Sequence, residues 1–211
     1  MEKKLSGLYA ITDEILTPKS TITSQVEKAL KAGVSILQFR DKNSKDSEVE
    51  GICQELQALC SSYDATFIID DRAELVDKIG AQGLHIGKDD IGLKEARAIV
   101  GGEKIIGVSC YGSVRRAKEA QDMGANYVAF GSFFRSPTKP KSTIIDLNVI
   151  TKAKKEITLP ICVIGGIDAS NLEELMEYKP DMISVVSAVF GGADIEKRVE
   201  ELNKIIEGAK I

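Results

Sequence analysis

Eight short apolar runs alternate with amphipathic stretches along the 211 residues, and this alternation restricts the fold more than any other feature. The runs fall at Leu8–Thr12, Ser35–Arg40, Thr66–Asp70, Gly83–Ile86, Ile105–Ser109, Tyr127–Gly131, Ile161–Gly165 and Met182–Ser187. Between them, apolar residues recur at three- and four-residue spacing, which predicts helices: Val26/Ala29/Leu30, Ile52/Leu56/Leu59 and Leu172/Leu175/Met176 are examples. A last helix from about Asp194 carries Val199, Leu202, Ile205 and Ile206 on one face. Several helical stretches end at glycine just before the next strand, at Lys31-Ala32-Gly33, Lys78-Ile79-Gly80 and Asp122-Met123-Gly124. Glycine there suits a left-handed cap that turns the chain back to the sheet. Asp168-Ala169-Ser170-Asn171 has the polar character of a helix entry. Eight strands, each followed by a helix, predict an α/β fold, a single-domain (β/α)8 TIM barrel over residues 1–211. The competing doubly wound open sheet usually has fewer strands and a glycine-rich first turn, which this chain lacks.

Charge narrows the function. The net charge is −4, with basic residues interspersed among acidic ones and no basic block, which argues against a nucleic-acid partner. Positive charge for an anionic ligand must therefore be local. Cys53, Cys60, Cys110 and Cys162 form no C-x-x-C pair and lie in apolar segments, the pattern of reduced core thiols. No apolar window approaches a membrane span, and Met1-Glu2-Lys3-Lys4 leads into no signal-peptide core. A cytoplasmic location without membrane contact is the expectation.

A barrel places its active site at the C-terminal ends of its strands, so polar residues there are informative. The second strand ends Gln38-Phe39-Arg40-Asp41-Lys42, and side chains alternate across a strand. Gln38, Arg40 and Lys42 then share the face toward the barrel mouth, while Leu37 and Phe39 face the helices. Two cations placed so close favour an oxyanion or diphosphate site; fanning out to pair with Asp41 or Asp46 is the alternative. Asp70-Asp71-Arg72 follows the third strand and Lys88-Asp89-Asp90 the fourth. Acids from these adjacent loops could share Mg²⁺ with a phosphorylated ligand, or could cap helices. After the sixth strand, Gly131 to Lys141 form a polar loop that either closes over a phosphorylated ligand or stays a surface turn. Gly165 and Gly166 would let backbone N–H groups approach a phosphate. Ser109 points at the same mouth. His85, the one histidine, is read as a packed, hydrogen-bonded core residue rather than a general base.

The run Tyr9-Ala10-Ile11-Thr12-Asp13, the Gln38–Lys42 segment, Asp71-Arg72, Gly83-Leu84-His85-Ile86-Gly87 and Gly107-Val108-Ser109 together resemble the thiamine phosphate synthase family. Ser136-Pro137-Thr138-Lys139, Ile164-Gly165-Gly166-Ile167 and Val185-Val186-Ser187-Ala188 extend the resemblance in order to about residue 190. It implies condensation of hydroxymethylpyrimidine diphosphate with a thiazole phosphate by Mg²⁺-assisted dissociative substitution, with diphosphate released. It also implies that Gln38, Phe39, Arg40, Asp41, Lys42, Asp70, Ser109 and Lys139 bind the pyrimidine diphosphate. Ser136, Pro137, Thr138, Gly166, Val186 and Ser187 would bind the thiazole phosphate, and Asp71 with Asp90 would hold the metal. Arg40, Lys42, Ser109 and Lys139 are the implied catalytic set; a homo-oligomer is possible. Three positions depart from the family pattern: Asp70 replaces the usual Asn, Lys88 a Gln, and Arg135 a Pro. A thiazole-phosphate tautomerase-like barrel and a non-catalytic barrel that binds a thiamine precursor are the alternatives.

Overall fold

A computed structural model describes residues 5–136 and 141–209. Its strands are β1 (Gly7–Ile11), β2 (Ile36–Phe39), β3 (Thr66–Asp70), β4 (Gly83–Ile86), β5 (Ile105–Tyr111), β6 (Tyr127–Phe130), β7 (Ile161–Ile164) and β8 (Met182–Val185). The helices are α1 (Ile22–Lys31), α2 (Asp46–Ser62), α3 (Ala73–Ile79), α4 (Leu93–Val100), α5 (Val114–Asp122), α6 (Asn148–Glu156), α7 (Leu172–Met176), α8 (Ser187–Phe190) and α9 (Ile195–Gly208). Every strand is parallel to its neighbours, and β8 pairs with β1 to close the barrel in sequence order. The expected (β/α)8 architecture is therefore present, and the open sheet is excluded.

Side-chain alternation divides the apolar residues into two cores. Leu8, Leu37, Phe67, Ile69, Leu84 and Phe130 point outward and pack against helical residues such as Val26, Leu56, Val76, Ile150 and Val199. Tyr9, Ile11, Ile36, Ile68, Tyr127, Ala129, Cys162 and Met182 point inward and fill the barrel. Each fully buried large aliphatic side chain contributes about 1.5–3 kcal/mol, so the outer layer supplies most of the hydrophobic stabilisation. On α2 the buried face is Val49, Cys53, Leu56 and Cys60, with Ile52 and Leu59 flanking it. All four cysteines are buried free thiols. Burial pushes Cys53 and Cys110 up to about 12, which removes their thiolate reactivity.

The glycine-terminated helices follow their expected chemistry. Gly33, Gly80 and Gly124 have φ of 106°, 69° and 88°, a region costly for residues with a Cβ. At the α7 entry, Asp168 Oδ1 accepts from the Ser170 N–H at 2.9 Å and Asn171 Oδ1 from the Asp168 N–H at 3.1 Å. Strand ends differ by a residue or two from the sequence reading. The eighth run stops at Val185 because Val186 (φ −118°, ψ −82°) leaves the extended region and starts α8. β5 instead continues to Tyr111, past a register irregularity after Ser109. Among the described residues, no helix is long and apolar enough to cross a membrane.

Candidate active site at the barrel mouth

The C-terminal strand ends surround a cavity of about 820 Å³. Gln38, Arg40, Lys42, Asp70, Asp90, Ser109, Ser136, Gly166, Val186 and Ser187 all line it. Residues from the ends of six strands and the loop after β6 are thus brought together. Pro137, Thr138 and Lys139 lie outside the described residues.

One side of the mouth carries the cations. Gln38 is buried near the floor and its Nε2 donates to the Tyr9 hydroxyl at 2.8 Å. Beyond the end of β2, the alternation is maintained by anchors from the end of β1. Thr12 Oγ1 accepts from the Arg40 N–H at 3.0 Å, and Glu14 Oε1 accepts from the Lys42 N–H at 2.5 Å. Asp70 faces both cations: its Oδ2 lies 3.6 Å from Arg40 Nε and 3.0 Å from Lys42 Nζ. Lys42 Nζ also donates to Asp71.

Phe39 and Asp41 belong to the same run but point elsewhere. Phe39 is part of the outer core. Asp41 is buried, and its carboxylate accepts from the Asn43 N–H at 2.9 Å, the Ser44 N–H at 2.8 Å and the Ser44 hydroxyl at 2.7 Å. Burial alone would raise the Asp41 carboxyl, but these donors and the Lys19 charge outweigh it and lower it below the usual range. Both residues line a smaller cleft of about 220 Å³ beside the β1–α1 loop rather than the main cavity. Their role is to shape the loop that presents Arg40 and Lys42. Arg72 completes that support, donating to the carbonyls of Asp41 and Ser44 and pairing with Asp46.

The acids gather beside these cations. Asp71 adopts φ of 59° and its N–H donates to the His85 carbonyl at 2.9 Å, which ties the end of β3 to β4. Its carboxyl is raised above the usual range: burial leads, and the charges of Asp70 and Asp90 add to it, together outweighing the Lys42 contact. Lys42 is raised as well, because its bonds to Asp71 and Asp70 exceed the opposing effect of burial. These directions look contradictory for one ion pair, since pairing alone would lower Asp71. They are compatible here because Asp70 and Asp71 share the Lys42 ammonium, while the Asp90 charge adds to the repulsion on Asp71. Asp90 Oδ2 accepts from the Gly87 N–H at 2.7 Å, which aims it at the cavity. Among the described residues, no group of three or more His, Cys, Asp or Glu could hold a metal by protein ligands alone. Two carboxylates with substrate oxygens and water do suffice for Mg²⁺.

Across the mouth, Gly165 (φ 107°) and Gly166 (φ 65°) form a turn packed on the loop after β6. A Cβ on Gly165 would fall 1.8 Å from Ser132 Oγ, and one on Gly166 2.3 Å from the Arg135 carbonyl oxygen. Both glycines are thus demanded by loop packing as well as by backbone conformation. Val186 and Ser187 stand at the adjacent start of α8.

Sequence reasoning assigned no role at the site to Tyr9 or Tyr127. Both are fully buried inside the barrel, and their hydroxyls meet at 2.9 Å. His85, expected as a packed and hydrogen-bonded residue, is one: Nδ1 meets the Tyr127 hydroxyl at 2.8 Å and Nε2 meets Ser109 Oγ at 2.9 Å. It also lines the cavity. The signal that could have found this cluster is Gly107, an inward strand position with no side chain between two polar inward neighbours.

Comparison with known proteins supports one family. The thiamine monophosphate synthase family profile matches residues 8–189. A thiamine-phosphate synthase of Thiobacillus denitrificans is 41% identical over 200 residues, covering 94% of either chain. One from Marinobacter nauticus is 43% identical, covering 94% of this chain and 90% of its own. The solved thiamine phosphate pyrophosphorylase of Pyrococcus furiosus superposes with a TM-score of 0.89 at 34% identity, covering 98% of both chains. A 3-hexulose-6-phosphate synthase of Salmonella typhimurium, at 17% identity and a TM-score of 0.68, shares the fold alone.

Proposed function

The chain belongs to the thiamine monophosphate synthase family, a family of transferases, and from that premise we propose how its barrel mouth joins a pyrimidine diphosphate to a thiazole phosphate. Arg40 and Lys42 bind the diphosphate of hydroxymethylpyrimidine diphosphate and stabilise the charge that grows on it as the bond to the pyrimidine methylene breaks. Gln38 and Ser109 hold the pyrimidine ring on the floor. Gly166, Val186, Ser187 and Ser136 hold the thiazole phosphate on the opposite wall, so that the thiazole nitrogen meets the pyrimidine cation. No strong base is needed, because the nucleophile is a ring nitrogen with a free lone pair. Thr138, Pro137 and Lys139 join these sets by their place in the family motif.

Asp71 and Asp90 fit a divalent cation: they are hard oxygen donors, and Asp71 is raised by burial and by its acidic neighbours. They would hold Mg²⁺ together with diphosphate oxygens and water, and the ion, when bound, offsets leaving-group charge. The protein acts in the cytoplasm on small-molecule substrates.

The observation that carries this reading is the line of Gln38, Arg40 and Lys42 in one cavity with Asp70 and Asp90, with Asp71 joined to it through Lys42. A phosphate-only site has no use for both groups. Arg40→Ala and Asp71→Ala should each lower turnover by about 100-fold or more while leaving the melting transition cooperative. Unchanged turnover in either variant would remove its residue from the site.

A further inference from the structure

β2 ends at Phe39, so Arg40 and Lys42 stand beyond the sheet although both serve the mouth. The backbone ladder from β1 to β2 closes with the Ile11–Gln38 pair and the Thr12 N–H, which donates to the Gln38 carbonyl at 3.0 Å. Alternate residues of a strand offer their backbone groups to the same neighbour, so the N–H groups of Arg40 and Lys42 turn toward the chain leaving β1. There, side chains take over from the backbone. Thr12 Oγ1 accepts from the Arg40 N–H at 3.0 Å, and Glu14 Oε1 accepts from the Lys42 N–H at 2.5 Å. The second Glu14 oxygen accepts from the Asn43 side-chain amide.

Glu14 reaches across from a fixed base. Asp13 Oδ1 accepts from the N–H groups of Ile15 and Leu16, both at 3.0 Å, and the buried Thr17 hydroxyl accepts from the Asp13 N–H at 2.9 Å. Glu14 lines the smaller cleft rather than the main cavity, so it presents no oxygen to a ligand at the mouth. Within the β2–α2 loop, Asp41 secures the N–H groups of Asn43 and Ser44, and Arg72 secures the carbonyls of Asp41 and Ser44. The Lys42 N–H is left to Glu14. Lys42 is also the residue that most needs a hold, because its ammonium rides on a flexible stem and is drawn to Asp70 and Asp71.

We propose that Glu14 is a positioning residue for the diphosphate site: from outside the cavity it fixes the Lys42 backbone, so that the ammonium meets the anion without the loop having to be ordered first. This rests on the synthase reading, which puts Lys42 on the diphosphate. The gain is preorganisation, since a loop ordered only on binding takes its conformational entropy out of the affinity. The Glu14 charge acts the other way, because a carboxylate repels an anion. It is half-buried and screened by solvent, whereas its bond to the Lys42 N–H is direct and charge-assisted, so the acceptor role outweighs the charge. The two roles predict opposite effects for a neutral amide at this position.

The test is calorimetric binding of inorganic pyrophosphate, at fixed Mg²⁺, to wild type, Glu14→Ala, Glu14→Gln, Lys42→Ala and the Glu14→Ala/Lys42→Ala double variant. Thiazole phosphate is titrated in parallel. Glu14→Ala is expected to weaken pyrophosphate by about tenfold, and Glu14→Gln, which keeps an acceptor for the Lys42 N–H, by no more than about threefold. Thiazole phosphate should bind all variants within about twofold of wild type, which a general loosening of the barrel would not allow. In the Lys42→Ala background, Glu14→Ala should add less than about twofold, since it acts through the missing ammonium. Unchanged or tighter pyrophosphate binding in Glu14→Ala, Gln as weak as Ala, a full tenfold loss without Lys42, or a matching loss of thiazole phosphate would each overturn the proposal. Should Glu14→Ala fail to fold, Glu14→Ser, too short to span to Lys42, takes its place in the same cycle. Wild-type turnover is followed separately: pyrophosphate binding without thiamine phosphate formation would sink the synthase reading alone, and no pyrophosphate binding by wild type would sink both.

Discussion

At the scale of single residues, Asp70 and Asp41 show how two carboxylates a strand apart take different work. Asp70 sits between Arg40 and Lys42, where an incoming diphosphate would contend with it for both cations. Asp70→Asn should leave the KM for the pyrimidine diphosphate unchanged or lower it by up to about fivefold, since one like-charge contact is removed. A tenfold rise in KM would instead make Asp70 a working ligand. Asp41 holds a turn, and its folded carboxyl is lowered relative to the unfolded chain. Its stabilising contribution is therefore complete above the unfolded pKa and disappears as pH falls through the folded one. Asp41→Asn should cost about 1–2 kcal/mol at pH 7, with the gap to wild type narrowing below about pH 4 in denaturant titrations. A gap constant with pH would assign the loss to packing. Period-two alternation alone was enough to read Gln38, Arg40 and Lys42 toward the mouth. The family run added Phe39 and Asp41, which face elsewhere, because a contiguous motif mixes residues that touch a ligand with residues that hold them. Tyr9 and Tyr127 were given no role at the site because a phenol inside an apolar strand has the signature of core.

At the scale of elements, the helices and strands were legible because their periods differ and glycines mark their ends. What was not legible was where extended backbone stops: Val186 turns into α8 and β5 runs on to Tyr111, and both depend on packing between loops rather than on local pattern. The N-terminal face of the barrel supplies a contrast with the mouth. Arg97 on α4 donates to the carbonyls of Gly101, Lys104 and Gly124 at 2.9, 2.6 and 3.1 Å, and to Asn126 Oδ1 at 3.0 Å. It thereby clamps the end of α4, the start of β5 and the α5–β6 turn. Arg97→Met should destabilise the fold by about 2–3 kcal/mol in chemical unfolding and leave kcat within about twofold. An equal loss of turnover without unfolding would contradict this separation of supporting and reacting faces.

At the scale of the whole molecule, closure of eight parallel strands does two jobs. It buries a large outer core beneath the helices, and it brings polar residues far apart in sequence to one cavity. The chain carries a net charge of −4, so attraction for anionic substrates comes from Arg40 and Lys42 rather than from the overall field. The account stands or falls on chemistry at that mouth. Purified protein should be given hydroxymethylpyrimidine diphosphate and thiazole phosphate, with and without Mg²⁺, while diphosphate and thiamine phosphate are followed together. The account predicts equal amounts of the two products, formed only with the metal present. Thiazole phosphate that binds without any condensation, with or without Mg²⁺, would contradict it.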